Sequence, residues 1–380
     1  MSTPGVVHNQ SRNLSRGRGL PVEARFSPMT RMADILPWPA AQTSDAVVRH
    51  LAAGRLVALP TEAGYVAACS ALSPSAVARL PMDAAPAVMV GSYPELYDWL
   101  PRLSRAAARV MRKTRGEITL QAEAGFRAGL WSRLPDDVRD FLARGNFLAV
   151  RRSTHTTWQG LRTGGLPVIA ISLSAPSAQD ITNVDVVVDA GPADGQSPSV
   201  VRADRNRLTL HQEGAVSPQR LDELALVRIL FICTGNTCRS PMAAALCTKL
   251  LAERIGCSPA ELKNHGFLVQ SAGISAMMDS EASPEAVTTV AELGGELSQH
   301  RSNRITLETL LAADHIFAMT AGHWYTLKSI RIPDLVEPKL LSPRHDDVAD
   351  PIGGPIGDYR ACADQILGYL QERLPELLES

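Results

Sequence analysis

One run of eight residues carries a recognisable chemistry: Cys233-Thr234-Gly235-Asn236-Thr237-Cys238-Arg239-Ser240. A cysteine opens it, an arginine and a serine close it, and small polar residues and a glycine lie between. Backbone N–H groups in such a loop can converge on one centre, and a helix N-terminus behind them makes that centre an anion site. A sulfur held there is favoured as the thiolate and is then a nucleophile near neutral pH. Arg239 adds a planar fork that matches two phosphate oxygens at once. The chemistry this set supports is attack on a bound phosphoryl group.

Two elements must position that loop. Ahead of it, Val227–Ile232 is short, apolar and rich in branched side chains, which predicts a buried strand. Behind it, Pro241 fits the first turn of a helix and is followed by good helix formers through Leu251. Downstream the pattern alternates. Strands are predicted at 267–271 and 315–319, and helices at 284–293, 304–311 and 358–374, with Gly294 and Gly295 stopping the first of these. Alternation of this kind predicts a parallel sheet with helices on both faces, and in such sheets ligands bind at the carboxyl ends of the strands. Cys233 stands at such an end.

At 380 residues the chain is long for one domain and comfortable for two. A hydrophobic share of 45% with 20% charged residues supplies two cores, and a net charge of −1 argues against a global affinity for nucleic acid or an anionic membrane. No apolar run approaches the roughly 20 residues that span a bilayer. Six cysteines in such a length do not read as a disulfide framework, so a reduced cytoplasm is the expected compartment. Residues 1–34, with Arg12, Arg16, Arg18 and Arg25 among Ser, Gly and Pro, read as a disordered tail. Residues 217–226 read as a short polar linker.

Between them, residues 35–216 predict a helix ending at Gly54, a strand at 56–59, a helical turn at 74–80, and strands at 167–172, 185–190, 199–201 and 207–210. Strands dominate, so an α+β sheet domain is expected. The order Gly54, a Val-rich strand, Pro60-Thr61-Glu62 and Tyr65, then Ile171–Ser174, Asp189–Gly191, Ser197–Val201 and Glu213–Val216, resembles the YrdC-like, threonylcarbamoyl-adenylate synthase family. The resemblance carries Thr61, Arg151, Ser172 and Ser199 into its site. It also departs from the family: the Lys-x-Arg pair after the first helix is missing from Arg79–Pro86, an Asn is lost at Ser172-Leu173-Ser174, and Gln212 replaces an arginine. Binding ATP phosphates needs those cations. A catalytically degenerate domain with a structural, regulatory or RNA-related role is therefore expected. The alternative is retained synthase activity, or an RNA or nucleotide ligand.

The second half resembles the low-molecular-weight protein tyrosine phosphatase superfamily over about residues 226–378. Beside the loop it has Ser271-Ala272-Gly273, His300, Asp314–Met319 and Asp350-Pro351. The resemblance implies that Cys233 is the nucleophile, Arg239 the phosphate clamp and Asp350 the general acid and base. Thr234, Gly235, Asn236, Thr237, Cys238 and Ser240 would bind phosphate, with Ser271 and His300 in support. No metal and no cofactor is implied. The partner would be a phosphorylated protein, and the oligomeric state is open. Thr237, and Ile352-Gly353-Gly354 after Asp350-Pro351, further resemble the bacterial protein arginine phosphatases, which place Phe where this chain has Ile352. Cys238 reads either as packing or as a redox partner of Cys233.

Overall fold

The computed structural model describes residues 33–39, 42–81, 85–124, 129–163, 165–175, 177–192, 195–204 and 207–379. The tail expected over 1–34 lies almost wholly outside these.

The first half is built on ten strands: β1 (Asp34–Pro37), β2 (Val57–Thr61), β3 (Gly64–Ser70), β4 (Ala87–Val90), β5 (Ile118–Glu123), β6 (Phe147–Arg152), β7 (Val168–Ser172), β8 (Val186–Asp189), β9 (Ser199–Asp204) and β10 (Arg207–Gln212). They form one mixed sheet in the order β1-β8-β2-β3-β7-β4-β6-β5-β9-β10. Helices α1 (Thr43–Ala52), α2 (Pro74–Val77), α3 (Leu96–Trp99), α4 (Arg105–Lys113), α5 (Asp136–Leu142), α6 (Thr156–Thr163) and α7 (Pro218–Ala225) accompany it. Alternate residues of β2 and β3 serve different cores, as the pleat requires. Ala58, Tyr65 and Ala67 face α2, α4 and α5, while Val57, Leu59 and Val66 face α1 and α6.

The second half has a four-stranded parallel sheet of β11 (Val227–Cys233), β12 (Phe267–Gly273), β13 (His315–Ala318) and β14 (Lys339–Leu340), in the order β12-β11-β13-β14. Its helices are α8 (Arg239–Ile255), α9 (Pro284–Glu292), α10 (Leu307–Ala312), α11 (Ala321–Ser329) and α12 (Ile356–Leu378). Ile229, Phe231 and Cys233 face α8, α9 and α12, whereas Leu230 and Ile232 face α10 and α11. The sheet is thus covered on both faces, as the alternation predicts. Helix α8 starts at Arg239 after an N-cap at Cys238, two residues before Pro241, so Arg239 itself lies in the first turn.

The stretch 217–226 is more than a polar linker. Ser217 caps it, Pro218 opens it, and α7 buries Leu221 and Leu224 in the core of the first half. The halves then meet through cations at the end of α4. Asp314, just before β13, accepts from Arg112 Nη2 at 2.7 Å and from Lys113 Nζ at 2.8 Å, and also from the Arg228 N–H at 2.8 Å. Arg112 donates further to the carbonyls of Leu311 and Ala313, while Arg109 fastens the end of α7 within the first half by donating to the Ala225 carbonyl. From β6, Arg152 pairs with Asp334. Side-chain exposures of 8%, 4% and 10% for Arg112, Lys113 and Asp314 make this a buried triad. Burial, against the attraction of Asp314, lowers the Lys113 ammonium to about 8.

Removing one partner of a buried pair strands the other charge, at a cost of about 3–5 kcal/mol. Asp314→Ala is expected to lower unfolding free energy in urea by that order. Loss of less than about 1 kcal/mol would mean that the triad does not hold the halves together.

Candidate active site

Cys233 ends β11 and is 3% exposed. Its Sγ receives the Asn236 N–H at 3.2 Å and lies 2.9 Å from Ser240 Oγ. Both are donors suited to a negative sulfur. The chain reaches this arrangement through Asn236, which adopts φ 58°, a left-handed conformation that asparagine tolerates better than most residues. Every polar group of Asn236 is used to hold it there. The side-chain amide donates to Ser240 Oγ and Ser271 Oγ, both at 2.9 Å, and its oxygen accepts from the Asn303 N–H at 2.8 Å. Its carbonyl oxygen accepts from His300 Nε2 at 2.8 Å. Burial is the main reason His300 titrates below its ordinary range, so the neutral ring with hydrogen on Nε2 is the form that serves.

The neighbouring strand must come close for this to work. A Cβ on Gly273 would stand 2.5 Å from the carbonyl oxygen of Thr234, so only glycine lets the end of β12 approach the loop. Ile274 and Ser275 then donate their N–H groups to the carbonyls of Cys233 and Thr234, at 2.9 and 3.0 Å.

Arg239, 6% exposed, pairs with Asp350 and donates weakly to the Val348 carbonyl at 3.4 Å. Asp350 comes from the loop between β14 and α12, and its other oxygen accepts from the Ile352 N–H at 3.3 Å. More than a hundred residues of chain are thus brought back to the helix N-terminus. Thr237 is half-buried, with its carbonyl accepting from the Ser283 N–H at 3.0 Å. Cys238 points its sulfur into the core toward Ser283 Oγ, at 3.3 Å, and Tyr359 OH, at 3.7 Å. The structure therefore brings together Cys233, Asn236, Arg239, Ser240, Ser271, His300 and Asp350.

It also adds two residues the sequence reading passed over. Asn303 fixes the Asn236 side chain through its N–H. His323, on the unpredicted helix α11, lies 2.9 Å from Thr234 Oγ1. Thr320 at the N-cap of α11, three positions before His323, was the available signal.

In the first half Arg151 is 2% exposed, donating to Thr61 Oγ1 at 2.8 Å and Ser172 Oγ at 3.2 Å. Its Nε has no partner, and burial lowers the guanidinium to about 10. Ser199 does not join them by any hydrogen bond. Its hydroxyl binds the Val216 carbonyl and the N–H groups of Gly214 and Val216, which fastens the end of this half.

The family described as low molecular weight phosphotyrosine protein phosphatase matches residues 228–380. A protein-arginine-phosphatase of Geobacillus stearothermophilus is 41% identical over 161 residues, spanning 40% of this chain and 97% of that protein. The chain belongs to the low molecular weight protein phosphatase family. The matched residues make it a cysteine-dependent phosphatase whose family chemistry needs no metal. A protein-arginine-phosphatase of Bacillus subtilis is 36% identical, over 39% of this chain and 95% of its own length. PtpB of Staphylococcus haemolyticus, a low molecular weight protein-tyrosine-phosphatase, is 32% identical over 39% and 97%. These matches lie in the phosphatase half, and the YrdC-like reading of the first half gains nothing from them.

Asn236→Ala removes three side-chain hydrogen bonds and leaves a β-carbon in a left-handed backbone. The wild-type asparagine already bears the left-handed strain, so the cost comes from the buried groups left unpaired, at about 1–3 kcal/mol each. Unfolding free energy should fall by about 3 kcal/mol, and phosphate release should fall with it. Asn236→Gly should recover the strain and leave the network broken; equal stability of both variants with the wild-type protein would overturn this account of the loop.

Proposed function

We propose that this chain removes phosphate from phosphoarginine in proteins through a cysteinyl-phosphate. Substrate phosphate takes the place of Asp350 as the partner of Arg239, with the loop N–H groups around its remaining oxygens. The Cys233 thiolate attacks phosphorus and forms a sulfur–phosphorus bond. The phosphorus–nitrogen bond breaks as protonated Asp350 gives its proton to the leaving guanidine nitrogen. Asp350, now a carboxylate, takes a proton from water as that water attacks phosphorus. The sulfur–phosphorus bond breaks, the electron pair returns to sulfur, and phosphate leaves.

The observation that carries phosphoarginine over phosphotyrosine is Thr237. Its hydroxyl makes only a 3.6 Å contact with the Cys238 sulfur, which leaves it able to meet a guanidinium or orient the attacking water. A bulkier isoleucine there would instead fill space against an aromatic ring. Ile352, 68% exposed, with Gly353 and Gly354 follows Asp350-Pro351 where aromatic residues would flank a phosphotyrosine ring. The two protein-arginine-phosphatases at 41% and 36% identity support the same choice.

For residues 35–216 we keep the reading of a degenerate YrdC-like domain. Arg151 supports it: its two terminal nitrogens are bound by Thr61 and Ser172 within the domain.

Phosphate release from a phosphoarginine-bearing protein and from a phosphotyrosine peptide tests the proposal. Cys233→Ser should lower both by on the order of a thousandfold or more. Thr237→Ile should shift the ratio of the two kcat/KM values toward phosphotyrosine by about tenfold. No release from either substrate would sink the mechanism, and an unmoved ratio would sink the assignment of Thr237.

A further inference from the structure

We propose that His323 is a positioning residue of the phosphate loop, orienting the Thr234 hydroxyl toward the bound phosphate in a way that depends on the charge of its ring. The inference deepens the phosphatase reading of that loop and rests on it. His323 belongs to α11, an element that the catalytic scheme does not otherwise use, and it is 7% exposed. Its Nδ1 lies 2.9 Å from Thr320 Oγ1, and Thr320 also caps α11 by accepting the His323 N–H at 3.4 Å. Its Nε2 lies 2.9 Å from Thr234 Oγ1. Both ring nitrogens are therefore engaged, and the ring bridges a helix N-terminus to the residue that follows the nucleophile.

Thr234 is the exposed member of the loop, and its backbone is already fixed by Ser275 and by the close approach of Gly273. What remains to be set is the direction of its hydroxyl. A neutral imidazole has one donor and one acceptor nitrogen, so one of the two threonine hydroxyls must spend its proton on the ring. A protonated ring donates through both nitrogens. Thr234 Oγ1 then accepts, and its own proton is free for a phosphate oxygen. A cation is also placed beside the anion site.

The charged groups facing His323 are Arg239, Asp350 and Asp347. Asp347 accepts the Ala321 N–H at 2.6 Å, at the start of the same helix. Burial is the strongest influence and Arg239 acts with it, while the two carboxylates oppose, so the ring titrates below its ordinary 6.5. The neutral state prevails at neutral pH, and the protonated state is reached as pH falls through the lowered value.

The test compares the full-length chain with His323→Ala and His323→Gln across about pH 5–8. Two readouts are taken: kcat/KM for a phosphorylated protein and the affinity for inorganic phosphate by calorimetry. His323→Ala should lose about tenfold in both, which corresponds to one bridging hydrogen bond to a group at the site. His323→Gln, whose amide can still reach Thr234, should recover most of that loss at pH 7.5 and melt like the wild-type protein. It should lack the wild-type inflection below pH 6.5 in both readouts. A purely structural role would give a Gln variant whose pH profile follows the wild-type one, and that result overturns the proposal. Unchanged phosphate affinity in His323→Ala overturns it as well. Phosphate binding that follows His323 without any turnover by the wild-type protein would instead sink the phosphatase reading and leave the positioning role standing. Absence of phosphate binding by the wild-type protein would sink both.

Discussion

The active site depends on one backbone conformation. Asn236 sits at a positive φ, and that turn aims its N–H at Cys233 and folds the loop around a common centre. A left-handed non-glycine residue costs about 1–2 kcal/mol, so it persists only where its surroundings determine it. Here four partners do so, from a helix, a strand and a connecting segment. Ser240 comes from α8, Ser271 from β12, and His300 and Asn303 from the segment that leads to α10. Gly273 lets that segment's neighbour come near. The residues that touch the reacting atoms are few, and much of the second half serves to hold them in one geometry.

The first half is fastened to this scaffold at places that matter to it. Asp314 immediately precedes β13, the strand that leads to Thr320 and His323, and Asp334 follows α11. Both are held by cations of the first half, Arg112 and Lys113 on one side and Arg152 on the other. The segment that carries His323 to the phosphate loop is therefore gripped at both ends across the boundary. The helix α7 leaves little slack there, because its leucines are committed to the first core while Val227 enters the second.

Much of this was legible in the sequence. Cys233, Arg239 and Ser240 declare themselves by spacing between a strand and a helix, and the alternation behind them implies a parallel sheet. Asp350 came only with the family resemblance, since nothing local separates it from Asp346, Asp347 or Asp358. His323 was not legible, because α11 is amphipathic only weakly and its histidine meets a threonine far away in the chain. Strands β3, β4 and β6 were passed over for a related reason. In a sheet covered on both faces their pattern is a short apolar run, which periodicity does not distinguish from a buried helix. The stretch 217–226 looked like a linker because its polar residues face solvent, while two leucines at helical spacing carry its packing.

In the proposed reaction Cys233 carries the phosphoryl group between two steps that Asp350 serves. p-Nitrophenyl phosphate tests it directly, because its leaving group needs no proton and the first step can proceed without the acid. With Asp350→Asn the second step should slow, and rapid acid quenching followed by peptide mass analysis should find one phosphoryl group on the peptide that contains Cys233. Turnover that continues with no such adduct, or an adduct on a peptide lacking Cys233, would contradict the account.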